Sequence, residues 1–160
     1  MSETIKKTNA MRLLDAAKVP YDVRTYEYDE SDLSGVHAAE ALDLPPETVF
    51  KTLVAHGDKT GYVVFCIPVA EALDLKKAAK VSGNKAVEML PVKALLPTTG
   101  YIRGGCSPIG MKKKFPTYID ETAMLFDKIA VSAGQRGVQL HLAPDDLLVF
   151  IGGEYAELTV

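Results

Sequence analysis

Residues 49–55 (VFKTLVA) and 62–68 (YVVFCIP) are β-rich runs with only the glycine-bounded turn 57–61 (GDKTG) between them. A connection that short reverses the chain but cannot hold a crossover helix, so the two runs must pair as an antiparallel hairpin. A doubly wound parallel sheet is thereby excluded. Around the hairpin the pattern alternates. Helices are expected over 8–18, where Thr8 and Asn9 cap the start, over 35–44, which Pro45 and Pro46 stop, and over 75–81, 92–96 and 144–151. Strands are expected over 21–28, 86–89, 117–119, 129–132, 138–142 and 156–159. The expectation is an α/β (α+β) fold: one domain over 1–160, with its core at about 8–158, built on a mixed, mostly antiparallel, barrel-like sheet with flanking helices, no internal repeat and no linker.

The 160 residues can bury one continuous core without disulfide or metal staples, and 48% hydrophobic against 24% charged residues is the balance of a globular chain. No apolar run reaches the ~18 residues of a membrane span. The charged start, residues 1–7, has no apolar stretch behind it, so a secretory signal is not expected and a cytoplasmic location is. Cys66 and Cys106 stand forty residues apart without CxxC spacing, which argues for two reduced thiols and against a zinc site. With a net charge of −3 and a pI near 5.6, any grip on nucleic acid must be local. Lys76, Lys77, Lys80, Lys85 and Lys112 to Lys114 are the clusters available, each equally readable as a solvated face.

The segment 99–110 (TGYIRGGCSPIG) places four glycines and a proline in twelve residues, directly before three lysines. Glycine brings bare backbone close to a neighbour, and its N–H groups beside positive charge suit an anionic or carbonyl-bearing ligand. A structural turn beside a solvated basic run fits the same residues, and the spacing is not that of a P-loop. Lys51 is a charge inside an apolar strand, where it must serve a ligand or turn to solvent. The stretch 132–138 (SAGQRGV) is a second glycine turn, in which Arg136 could grip a phosphate or carboxylate or merely close a hairpin. Cys106 could be an activated thiol, but His37, His56 and His141 are scattered, leaving no evident base and no metal-ligand spacing. Asp145 and Asp146 follow Pro144 at a helix start, where carboxylates cap.

Taken together and in order, 50–53 (FKTL), 73–80 (LDLKKAAK), 99–101 (TGY), 104–110 (GGCSPIG) and 132–137 (SAGQRG) resemble the YbaK family, related to the editing domain of bacterial prolyl-tRNA synthetases. The resemblance runs from about residue 8 to 158. It implies a compact domain built around a mixed β-barrel, and an enzyme that removes cysteine wrongly attached to proline tRNA. Binding alone discriminates weakly between amino acids of similar size, so a second, editing site is needed. Lys51 would meet the 3′-terminal ribose and phosphate, with Phe50 and Thr52 beside it. Gly104 and Gly105 would offer N–H groups to the aminoacyl ester, within a loop that includes Arg103, Ser107, Pro108 and Gly110. Tyr26, Ser132, Gly134, Arg136 and Asp146 would line the pocket.

The resemblance further implies that the substrate's own thiol attacks its ester, so that no protein nucleophile, metal or organic cofactor is needed. Many relatives carry a small aliphatic residue where this chain has Cys106, so its thiol is either incidental or a source of redox sensitivity. The implied partners are the 3′ end of an aminoacylated tRNA(Pro), with Cys-tRNA(Cys) as a further substrate, and prolyl-tRNA synthetase as a holder of that tRNA. A membrane partner is not expected. Three other readings stay open: a deacylase for alanine or another small amino acid, a non-catalytic module that binds tRNA ends or a synthetase, and a redox protein centred on Cys106.

Overall fold

The computed structural model describes residues 6–160; the first five, part of the charged start considered above, lie outside the described residues. Helix α1 (Asn9–Ala16) begins where the Thr8 hydroxyl accepts the N–H of Met11 at 3.3 Å, and it buries Ala10, Met11 and Leu14 along one stripe. A short strand β1 (Asp22–Thr25) leads to helix α2 (Gly35–Ala41), capped by Ser34, and to a 3-10 turn at Pro46–Thr48. The hairpin follows as expected. Strand β2 (Phe50–Gly57) pairs antiparallel with β3 (Gly61–Pro68) from Phe50 opposite Pro68 to Gly57 opposite Gly61. Its turn is clamped from the side: Asn84 Oδ1 accepts the N–H groups of Lys59 and Thr60, and Asp58 Oδ1 accepts those of Lys85 and Ala86.

Helix α3 (Leu75–Ser82) starts on Asp74 and stops at Gly83, whose φ of 78° is left-handed. Strand β4 (Val87–Met89) and helix α4 (Val92–Thr99) come next; α4 continues through Pro97 and ends at Gly100. The glycine loop then crosses to β5 (Thr117–Asp120), a 3-10 turn at Glu121–Leu125, the hairpin of β6 (Ile129–Gln135) and β7 (Val138–Leu142), helix α5 (Pro144–Ile151) and strand β8 (Glu154–Ala156).

Two sheets result. One has the order β4-β2-β3-β5-β8, in which β5 joins β3 and β8 joins β5 in parallel; the other is the antiparallel set β1-β7-β6. The mixed α+β arrangement is the expected one, but the sheet does not close into a barrel. Among the described residues the sheets pair through one isolated parallel bridge, Val49 to Ala130, after which β6 carries a bulge between Ser132 and Gln135. One core lies between the sheets, where Leu14, Phe50, Ile119, Ile129, Leu140 and Leu147 meet. A second packs Ala78 and Ala79 of α3 on Phe65, Ile67 and Leu158. The gap between β2 and β6 is where the candidate site opens.

Candidate active site

A cleft of about 420 Å³ lies along the first half of β2, with Tyr26, α2, the β4-to-α4 connection, the glycine loop and the β6-β7 pair as its other walls. Lys51 projects from β2 into it, half-buried and without an ion pair among the described residues. Burial depresses the Lys51 pKa below the ordinary lysine value of 10.5, and the charge of Glu71 partly offsets this. Arg103 is the second cation on the wall. Among the lining residues there is no histidine, aspartate or glutamate, so the cleft is cationic within an acidic chain.

The glycine loop is a stitched wall. Tyr101 donates its hydroxyl to the carbonyl of Ile109, Gly105 donates its N–H to Ile102 at 2.9 Å, and the Ser107 hydroxyl accepts the N–H of Ile109 at 3.2 Å. Cys106 through Ile109 are buried. From the other side, Arg136 Nε bonds the carbonyl of Arg103, and the backbone of Gln135 and Arg136 comes so near Gly105 that a Cβ there would sit 3.2 Å from the Arg136 nitrogen. Glycine at 105 thus suits a close approach of two backbones that a Cβ would crowd, and its N–H is already engaged. Gly104 faces the cleft with φ of 84°.

Of the residues singled out in the sequence, the cleft brings together Tyr26, Phe50, Lys51, Thr52, Arg103, Gly104 and Ser132. Cys106, weighed in the sequence as an activated thiol, also lines it, whereas Gly105, Ser107, Pro108, Gly110, Gly134, Arg136 and Asp146 stand outside its lining. Ser107 is wholly buried, Pro108 and Gly110 border a smaller depression behind the loop, and Arg136 holds the loop. Gly134, with φ of 97°, is pressed against the ring of Tyr101 and donates its N–H to the Ser132 hydroxyl at 3.1 Å. Asp146 is exposed in the first turn of α5, outside the cleft lining, beside Asp145, which accepts the hydroxyl of Tyr155.

The sequence reading missed Gln139. It faces Ser132 across the β6-β7 pair, lines the cleft, is only 7% exposed, and its Oε1 has no hydrogen-bond partner among the described residues. A buried acceptor without a partner costs about 1–3 kcal/mol, which makes it conspicuous in a cleft wall. Its signal in the sequence was slight: a polar residue between Val138 and Leu140 in a strand otherwise apolar at those neighbours.

Neither cysteine is poised for attack. Burial pushes both thiols up to about 12, Cys66 at full burial within β3 and Cys106 at 9% exposure on the cleft wall. The arrangement can bind and orient an anionic ligand and present main-chain donors, but its walls hold no nucleophile with an adjacent base.

Residues 33–150 match the aminoacyl-tRNA editing domain family, a span that contains the hairpin, the glycine loop and the β6-β7 pair. The chain belongs to that family. Among its relatives, a protein of Enterococcus faecalis is 54% identical over 157 residues, covering 98% of this chain and 96% of its own; it carries the provisional name Cys-tRNA(Pro)/Cys-tRNA(Cys) deacylase EbsC. Two crystal structures share the fold of this editing domain. One, described provisionally as a trans-editing enzyme for prolyl tRNA synthetase, has a TM-score of 0.80 at 23% identity and covers 97% of this chain and 99% of its own. The other, a hypothetical protein, has a TM-score of 0.84 at 18% identity over 93% and 97%. No helix among the described residues is long and apolar enough to cross a membrane.

Proposed function

We propose that this editing domain is a freestanding deacylase that removes cysteine from Cys-tRNA(Pro), with Cys-tRNA(Cys) as a second substrate. The observation that carries the proposal is the cleft itself: a half-buried lysine without an ion pair among the described residues, a second cation at Arg103, main-chain groups along β2 and Gly104, and no carboxylate or histidine on the walls. Such a site suits a substrate that brings its own nucleophile. The cationic lining supports binding of the terminal ribose and phosphate, and the 54% identical relative supports the cysteinyl ester.

The chemistry needs no group that the cleft lacks. The substrate's cysteine sulfur attacks its own ester carbonyl, the new C–S bond closes a small thiolactone ring, the C–O bond to the ribose breaks, and the thiol proton passes to the departing ribose oxygen. Lys51 and the main-chain donors hold the ester and favour the developing negative charge on its carbonyl oxygen. Alanine and proline esters have no thiol and cannot follow this route. The net charge of −3 leaves little general affinity for tRNA, which supports action in the cytoplasm beside a protein that already holds the tRNA, such as prolyl-tRNA synthetase.

The test is release of labelled amino acid from Cys-tRNA(Pro), Ala-tRNA(Pro) and Pro-tRNA(Pro) by wild-type protein and Lys51→Ala. Loss of cysteine alone, abolished in the variant, is the expected result. Release of alanine instead would move the substrate, and release from none would leave a binding module.

A further inference from the structure

Six consecutive residues, Val49 through Val54, border the cleft. A cavity over a sheet face meets every second residue of a strand, because side chains alternate between faces. An unbroken run means that the cleft lies along the strand's edge. The pairing agrees: β4 joins β2 only at Ala55–Gly57, the single bridge of Val49 to Ala130 closes the other end, and no strand pairs with the outer side of β2 between them.

Which main-chain groups face that opening follows from the register. Val69 donates its N–H to the carbonyl of Val49, and the pairs Lys51 with Ile67 and Leu53 with Phe65 continue the same alternation, so the odd-numbered residues turn their N–H and C=O toward β3. Even-numbered residues turn theirs outward, as the carbonyl of Val54 does in accepting the N–H of Leu90. Thr52 therefore presents both its N–H and its C=O to the open edge, at the middle of the cleft and between the side chains of Lys51 and Leu53.

An α-aminoacyl ester carries an ammonium donor and a carbonyl acceptor on either side of one carbon, in the relation that a strand residue's own N–H and C=O hold. We infer that the aminoacyl group docks on β2 as a one-residue antiparallel strand, its ammonium donating to the Thr52 carbonyl and its ester carbonyl accepting the Thr52 N–H. This rests on the deacylase reading and names how that site recognises its substrate. The donor that fixes the ester in the ground state also faces the charge that grows on its oxygen during attack. Paired residues of an antiparallel strand share a face. An L-side chain thus falls on the Phe50, Thr52 and Val54 side, where the Thr52 hydroxyl and Cys106 lie. Main-chain pairing supplies the affinity and that face supplies the selection, as in other strand-edge recognition.

The experiment replaces the peptide N–H of residue 52 by an ester oxygen, by incorporating the α-hydroxy counterpart of threonine, with the corresponding change at Val63, a β3 residue outside the cleft that pairs with Ala55 of β2, as a control. Two readouts are taken: single-turnover release from Cys-tRNA(Pro), and binding of an amide-linked, uncleavable cysteinyl-adenosine. The N–H of residue 52 bonds no strand, and the change there only weakens the Lys51 carbonyl that faces β3, so thermal stability should fall less than at residue 63, while release slows by roughly 100-fold and analogue binding weakens at least tenfold. At residue 63 the lost bond is to β2, so stability should fall while release by the folded fraction stays near wild type. Equal rates and equal binding for the residue 52 variant and wild type would overturn the inference. Absence of release by wild type would instead overturn the deacylase reading, and the binding arm would still decide the docking.

Discussion

Arg136 Nε donates a 2.9 Å hydrogen bond to the carbonyl oxygen of Arg103, tying the β6-β7 turn to the glycine loop. The guanidinium that looked like a ligand group is thus spent on holding the wall that carries Gly104. Arg136→Met keeps the aliphatic stem, which lies 3.5 Å from a Cβ position at Gly104, and removes the donor and the positive charge, whereas Arg136→Lys, run beside it, keeps the charge without the Nε bond. Stability should fall by about 1 kcal/mol. The KM for aminoacyl-tRNA should rise more than kcat falls. Calorimetry together with steady-state deacylation checks both, and a variant with unchanged KM would show that the tie does not shape the cleft.

Lys51 makes opposite demands on activity and folding. Its depressed pKa means that a rate requiring the ammonium falls, as pH rises, earlier than an ordinary lysine with pKa 10.5 would dictate. Between the folded pKa and 10.5 the unfolded chain binds more protons, so this residue's contribution makes stability rise with pH across that window. Lys51→Met should abolish the alkaline limb of the rate profile along with most of the rate, while leaving melting temperature equal or higher. A large loss of melting temperature would assign Lys51 a structural role.

Gln139→Leu removes the orphaned acceptor and keeps the volume. The folded state should gain about 1 kcal/mol, because a buried oxygen without a partner is no longer desolvated. Deacylation should drop at least tenfold if that oxygen receives a donor from the substrate. Denaturant titration and single-turnover kinetics of the same preparation give both numbers, and a variant that is neither more stable nor slower would sink the assignment.

Gly134→Ala tests the bulge. The left-handed φ of 97° is costly for alanine, and its Cβ would meet the Tyr101 ring at 2.8 Å. A loss of about 2–3 kcal/mol is expected, from backbone strain plus overpacking. Tyr101→Leu alone loses the hydroxyl that holds Ile109, but adding Gly134→Ala to it should cost only the strain and not the packing part, which thermal unfolding of the two single variants and the double variant separates.

Much of this was legible in the chain because it depends on local chemistry. The 57–61 turn dictated the hairpin, Thr8 capped the helix that it precedes, and the lysine in an apolar strand marked the cleft. What was not legible depends on contacts distant in sequence. Strands β5 and β8 join in parallel through partners far along the chain, and β8 lies at Glu154–Ala156, earlier than the apolar pattern indicated. Helix α4 runs on through Pro97, where a stop was expected before it. Site residues divide in the same way. Lys51 announced itself by charge, whereas Ser107 and Arg136 look like ligand groups until the structure pairs them with Ile109 and Arg103. Gln139 became visible only once the register set it opposite Ser132.

The open stretch of β2 has an evolutionary consequence. Pocket walls made of side chains can be remodelled or ruined one codon at a time, but the outward N–H and C=O at position 52 persist under almost every substitution there, proline being the clear exception. A lineage can therefore exchange the residues around the opening, and with them the amino acid that is rejected from protein synthesis, while the fixture that grips any α-aminoacyl ester is inherited unchanged with the fold.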